Sequence, residues 1–153
     1  MNASRRTVIQ ASLALAFAPA AFAQQALPLV EVWKSPTCGC CKDWIGHMQA
    51  NGFKVKAIEV ESTAPMRAKL NMPERFGSCH TALVGGYAVE GHVPAADIRR
   101  LLKERPDAVG LSVPGMPVGS PGMDGPEYGG RKDMFDVLLV ARNGSASRYQ
   151  SYN

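Results

Sequence analysis

The chain has 153 residues, 17 Lys+Arg against 13 Asp+Glu for a net charge of +4, and four cysteines. With 46% apolar and 20% charged residues it is hydrophobic enough to build a folded domain, which excludes a disordered chain, and it lacks the Gly-X-Y repeat of a collagen-like fibre. The one long apolar stretch is N-terminal, so once that is explained no membrane span is expected.

Residues 1–23 read as an export signal. Arg5 and Arg6 form a basic start, Val8 to Phe22 is almost wholly apolar, and Ala21-Phe22-Ala23 is the small-x-small pattern of a signal peptidase site, placing cleavage before Gln24. Ser4-Arg5-Arg6-Thr7-Val8-Ile9 also resembles the twin-arginine export signal, although paired arginines open ordinary secretory signals too. Removing this segment leaves 15 Lys+Arg against 13 Asp+Glu in 130 residues. No Lys/Arg cluster interleaved with aromatics remains, which argues against nucleic acid as a partner. The implied compartment is the bacterial periplasm or the cell exterior, where disulfides persist.

Residues 24–153 read as a single domain in the order β, α, β, α, hairpin, α, long loop, hairpin. Leu29 to Trp33 alternates as a first strand and is broken at Ser35-Pro36-Thr37. Cys41, Trp44, Ile45 and Met48 recur at i, i+3, i+4 and i+7, predicting an amphipathic helix that ends near Asn51-Gly52 and leaves His47 on the solvent side. Phe53 to Val60 has apolar residues on both faces, the pattern of a strand in the sheet interior. Ser62-Thr63 offers a cap for a short helix carrying Met66 and Leu70, with Met48 and Met66 read as core residues. Thr81 to Val84 and Tyr87 to Glu90 flank the turn pair Gly85-Gly86, and Ala95, Ile98, Leu101 and Leu102 mark a helix from about Pro94 to Glu104. Pro106 to Met134 holds five Pro and seven Gly in 29 positions, which predicts a long irregular loop, functional or disordered. Phe135 to Ala141 and Ser147 to Tyr152 then pair around Asn143-Gly144.

The chemistry concentrates in Cys38-Gly39-Cys40-Cys41, between a strand and a helix N-terminus. The orphan N–H groups and dipole there favour anions, so a cysteine at that place is expected to be available as thiolate, a nucleophile and a soft-metal ligand. Lys34 and Lys42 either add to this effect or are solvated surface lysines. A strand, a C-x-x-C and a helix in succession fit a thioredoxin-like redox motif in which Cys38 and Cys41 are the redox pair. Cys40 is surplus to such a couple, whereas a metal site gains from every sulfur, and soft sulfur selects Cu(I), Zn or iron–sulfur chemistry. The paired C-x-x-C spacing of four-cysteine zinc sites and a ferredoxin-like run are both absent. Two structural disulfides remain a third reading. In a thioredoxin-like layout the chain before the third strand returns to face the C-x-x-C turn, which brings Cys79-His80 there, to complete a metal site or to pair with Cys40.

The residues Ser35-Pro36-Thr37-Cys38-Gly39-Cys40-Cys41, Ser78-Cys79-His80-Thr81-Ala82, Val89-Glu90-Gly91-His92-Val93-Pro94, and Val113-Pro114-Gly115-Met116-Pro117 with Ser120-Pro121-Gly122-Met123 occur in this order. Together they resemble the CopG-like family of bacterial periplasmic metal-binding proteins associated with copper resistance, over nearly the whole of Val30 to the C-terminus. The resemblance implies an α/β, thioredoxin-like fold: a central mixed sheet with flanking helices, a long Pro/Gly-rich loop and a C-terminal β-hairpin. It also implies copper, as Cu(I) or Cu(II), held by Cys38, Cys40, Cys41 and Cys79 with a methionine of the long loop, and redox chemistry between copper and thiols. Met116, between Gly115 and Pro117, is the preferred methionine. Met123 is divided between a ligand and a packing role, and His92 between a ligand and a hydrogen-bonded structural residue. The partners expected are metal ions and other periplasmic copper-handling proteins.

Overall fold

The computed structural model describes residues 26–153, so the export signal and its cleavage site lie outside the described residues. The elements run β1 (Val30–Lys34), α1 (Gly39–Ala50), β2 (Val55–Glu59), α2 (Ala64–Lys69), β3 (His80–Val84), β4 (Tyr87–Glu90), α3 (Ala95–Glu104), β5 (Gly110–Ser112), β6 (Phe135–Val140) and β7 (Ala146–Tyr152), with short 3-10 turns at Glu74–Phe76 and Pro126–Tyr128. The strands form one seven-stranded mixed sheet in the order β2-β1-β3-β4-β5-β6-β7. β1 pairs parallel with β2 and β4 with β5, and the other neighbours are antiparallel. The α/β architecture, the two hairpins and the flanking helices are as expected.

Alternation in β1 turns Val30 and Val32 into the main core, where Trp44 and Met48 of α1 and Ile98 and Leu101 of α3 cover one face of the sheet. Each such fully buried side chain contributes roughly 1.5–3 kcal/mol. The opposite face is closed by a smaller cluster of Met72, Phe76, Ala88, Val109 and Val140. Ser62 Oγ accepts from the Ala64 N–H at the start of α2, whereas Thr63, the capping residue itself, makes no capping bond. Met66 is only half-buried; the buried residue of α2 is Arg67.

Two expectations are corrected. β2 is an edge strand and not an interior one: it has a single neighbour, and Lys56, Ala57 and Glu59 are exposed. Phe53, which suggested a second buried face, precedes the strand and enters the core, while Lys56 pairs with Glu31 at 3.0 Å on the edge. Charges on an outer strand blunt further pairing. The second correction is β5, a strand inside the stretch read as wholly irregular. Gly110 opens it because a Cβ there would collide with the Ala88 backbone, and Leu111 and Val113 that follow are fully buried.

The rest of the long segment is an ordered strap. The Gly115 N–H donates to Gly77 O at 3.2 Å, that of Gly119 to Met123 O at 2.7 Å, and that of Asp133 to Val118 O at 2.8 Å. Gly122, at φ +85°, lies against the first turns of α1, where a Cβ would sit 2.6 Å from Cys40 O and 2.7 Å from Trp44 N. Only glycine permits that approach.

Candidate metal centre

Helix α1 begins immediately after Cys38, whose backbone is extended and whose side chain makes no capping bond, so Cys40 and Cys41 occupy the first turn with its unpaired N–H groups. β3, antiparallel to β1, starts opposite Lys34, which places the preceding residue, Cys79, against that turn. The Sγ atoms of Cys38, Cys40, Cys41 and Cys79 consequently all lie within 4.8 Å of one another. The chain before the third strand thus returns to the C-x-x-C turn, where the sequence places Cys79.

Cys38 and Cys41 are joined as a disulfide, with Cα atoms 5.4 Å apart, and Cys40 and Cys79 are free thiols. Cys40 Sγ is 3.6 Å from Cys38 Sγ and 4.0 Å from Cys79 Sγ, and Cys41 Sγ is 3.7 Å from Cys79 O. Cys41 is fully buried, while the other three are half-buried.

Two imidazoles extend the sulfur set on the Cys79 side. His92 Nε2 is 3.0 Å from Cys79 Sγ, and His92 Nδ1 is 2.8 Å from Pro121 O. A carbonyl only accepts, so Nδ1 carries the proton and the bare Nε2 faces Cys79, whose S–H donates to it. His80 Nδ1 lies 3.4 Å from the same sulfur, and His80 Nε2 is buried without a hydrogen-bond partner. Trp44 walls this side, its ring centroid 4.4 Å from that of His80 and its indole N–H bonded to Val93 O at 2.9 Å.

Burial governs the protonation states. It pushes the Cys79 thiol up to about 12, with the neighbouring Cys40 adding to the effect. Burial, and then His92, lowers His80 to about 3, and burial also lowers His92 against the opposing pull of Pro121 O and Asp124. Each histidine is therefore neutral in the folded chain near pH 7. Since unfolding restores the ordinary value of 6.5, the unfolded chain binds the extra protons below that pH, and stability falls as pH drops from about 6.5 toward 3. His80 alone is expected to remove about 2 kcal/mol between pH 7 and pH 5. Urea unfolding of the metal-free protein checks this, and equal stability at the two pH values would contradict it.

A buried ion pair is hydrogen-bonded to the segment that carries Cys79. Glu90 Oε1 accepts from Arg67 Nε at 3.0 Å, Arg67 Nη2 at 2.9 Å and the Ser78 N–H at 2.7 Å, and Glu90 Oε2 accepts from Thr81 Oγ1 at 2.6 Å. Arg67 Nη2 also donates to Ser78 O and to Thr63 Oγ1, both at 3.0 Å.

Of the residues singled out in the sequence, the four cysteines converge. Met116 is 53% exposed on the strap, next to Gly115, whose carbonyl accepts from the Ser78 hydroxyl. Met123 is buried and accepts a hydrogen bond from Tyr128 Oη at 3.3 Å, a packing environment. Lys34 is buried, donating to Ser35 O at 3.0 Å and lying 3.5 Å from Glu59, whereas Lys42 is exposed. His47 is not a solvent residue: it is half-buried, and its Nε2 accepts the Ala95 N–H at 3.1 Å, capping α3. The sequence assigned no role to Arg67 or Glu90. Their signal was a charge within otherwise apolar patterns, Arg67 beside Met66 and Leu70, and Glu90 ending Tyr87-Ala88-Val89.

Fold and site together define an α/β protein with a cysteine and histidine cluster able to hold a soft metal ion. Residues 76–123 match the family described as "Protein of unknown function, DUF411". Two solved structures of copper resistance protein copG are similar. Form 1 has 48% identity and a TM-score of 0.76, covering 82% of this chain and 98% of its own. Form 2 has 47% identity and a TM-score of 0.77, covering 83% and 99%. No curated protein sequence gives a match. The chain belongs to the CopG-like copper resistance family.

Proposed function

We propose that the chain is an exported, periplasmic copper-binding protein of metal resistance, with Cys38, Cys40, Cys41 and Cys79 as a sulfur core for Cu(I) and Met116 as a supplementary thioether ligand. One observation carries the reading: four sulfurs from two segments, 38 residues apart between Cys41 and Cys79, meet within 4.8 Å. Thiolate and thioether are soft donors, the class that Cu(I) prefers. Among the described residues no helix is long and apolar enough to cross a membrane. The protein would sequester copper during metal stress or hand it to other periplasmic copper-handling proteins.

While Cys38 and Cys41 are bonded to each other, neither offers a thiolate, so full loading follows reduction of that disulfide. Anaerobic titration with Cu(I), before and after reduction, tests this. The reduced chain is expected to take up at least one more ion than the disulfide form, and equal uptake, or none, would contradict the proposal. Met116→Leu is expected to weaken binding about tenfold, less than loss of a cysteine, because its exposed side chain must be ordered on binding.

A second reading, a thiol–disulfide oxidoreductase, is favoured by the closed Cys38–Cys41 pair, in which Cys38 is accessible and Cys41 is buried. That asymmetry suits an attacking and a resolving thiol. This reading predicts metal-free disulfide reductase activity that survives Cys40→Ser and is lost in Cys38→Ser.

A further inference from the structure

The ion pair of Arg67 and Glu90 is fully enclosed, with side-chain exposures of 8% and 0%. Buried pairs are weak contributors to stability, because desolvating two charges offsets most of their attraction, and apolar residues of similar volume often serve as well. The position of this pair in the fold shows what else it does. Ser78 and Thr81 bracket Cys79-His80, and both are bonded to one carboxylate, Ser78 through its N–H at 2.7 Å and Thr81 through its hydroxyl at 2.6 Å. The Ser78 carbonyl is taken by Arg67 at 3.0 Å, so both backbone polar groups of the residue before Cys79 are bonded to the pair.

The backbone packs closely around the clamp. A Cβ on Gly77 would sit 3.0 Å from Arg67 Cζ, and one on Gly91, at φ +71°, would sit 2.6 Å from both Ser78 Cβ and Val113 O. The guanidinium thus lies close to Gly77, and Ser78 lies against Gly91 after β4 and Val113 of the strap. The Cys79 sulfur belongs to the cluster, 4.0 Å from Cys40 Sγ and 3.0 Å from His92 Nε2.

We infer that Arg67 and Glu90 are positioning residues for Cys79: a buried guanidinium–carboxylate clamp that holds the Ser78 backbone before this cysteine and the Thr81 hydroxyl after it, and so sets its sulfur opposite Cys40. Its effect on copper rests on the proposed function above, but the placement of the sulfur does not. The clamp touches no sulfur, and it acts by removing the freedom of residues 78–81.

The test uses the metal-free protein and measures how readily Cys40 and Cys79 can be brought together. Diamide oxidises two adjacent thiols to a disulfide, its azo bond taking up the two hydrogens, and peptide mass spectrometry follows the Cys40–Cys79 product over time. Arg67→Met combined with Glu90→Leu replaces the pair by apolar groups, and Thr81→Val removes one hydrogen bond while leaving the pair in place. The double variant, with a cooperative melt retained, is expected to form the product at least tenfold more slowly than the parent, and Thr81→Val about threefold more slowly with an unchanged melt. Parent-like rates in a folded double variant overturn the inference, and if that variant does not fold, a parent-like rate in Thr81→Val overturns it. The same preparations are then titrated with Cu(I): tenfold weaker binding in the double variant extends the clamp to the metal site. Absence of copper binding in the parent would remove the metal-site proposal and leave the cross-linking result standing.

Discussion

Cys79→Ser is expected to lower Cu(I) affinity at least about 100-fold, close to 2.7 kcal/mol, while leaving the fold intact. Three of the four sulfurs come from one turn, Cys38 to Cys41, and Cys79 alone approaches from the other side of the pocket. Without it the cluster has no sulfur on the His92 side. Serine nearly preserves the volume of cysteine but presents a hard oxygen to a soft ion. It can still donate to His92 Nε2, so the hydrogen bond that orders the apo pocket is retained. Competition against a colorimetric Cu(I) chelator measures the loss. Cys40→Ser is expected to behave alike, since Cys40 lies between Cys38 and Cys79 at 3.6 and 4.0 Å. Unchanged affinity in either variant would contradict a four-sulfur core.

The largest effect on stability is expected from Glu90→Ala. The substitution leaves Arg67 as a buried, unpaired cation and deprives the Ser78 N–H and the Thr81 hydroxyl of their acceptor. Breaking one side of a buried pair costs about 3–5 kcal/mol, a large fraction of the 5–15 kcal/mol that holds a typical domain together. For a domain of this size that corresponds to a fall in melting temperature of roughly 10 °C or more. Arg67→Met with Glu90→Leu removes the unpaired charge and is expected to recover part of the loss, the remainder being the Ser78 and Thr81 groups still without their partners. Thermal melts of the single and double variants decide this, and a double variant as unstable as Glu90→Ala would contradict it.

The elements most legible in the sequence were those whose pattern depends on one buried face. Cys41, Trp44 and Met48 mark α1 because a helix between sheet and solvent must repeat its apolar residues every three to four positions. The two hairpins were legible from Gly85-Gly86 and Asn143-Gly144, since few residue pairs accept the backbone of those turns. β2 misled because Phe53, a core residue just before the strand, was counted within it. β5 was hidden because Gly110 reads as a breaker, whereas its real constraint is the closeness of the Ala88 backbone, a contact between segments that no local pattern shows.

The site divided in the same way. Local chemistry pointed to the cysteine trio, and the expected return of the chain before β3 pointed to Cys79. The solvent role assigned to His47 failed because its partner, the Ala95 N–H, is 48 residues away. Arg67 and Glu90 stand 23 residues apart on a helix and a strand, and nothing in either segment alone shows that they meet. The orientation of His92 depends on Pro121, a backbone carbonyl of the strap, and backbone acceptors leave no trace in residue identity.

The most direct test of a sulfur-rich copper site is the metal content, and the copper oxidation state, of the chain purified without air from copper-supplemented cells. The structure-based reading expects copper as Cu(I) in sulfur coordination, lost on Cys79→Ser. Protein that emerges with its four thiols reduced and no copper, or that carries copper undiminished after Cys79→Ser, would contradict it.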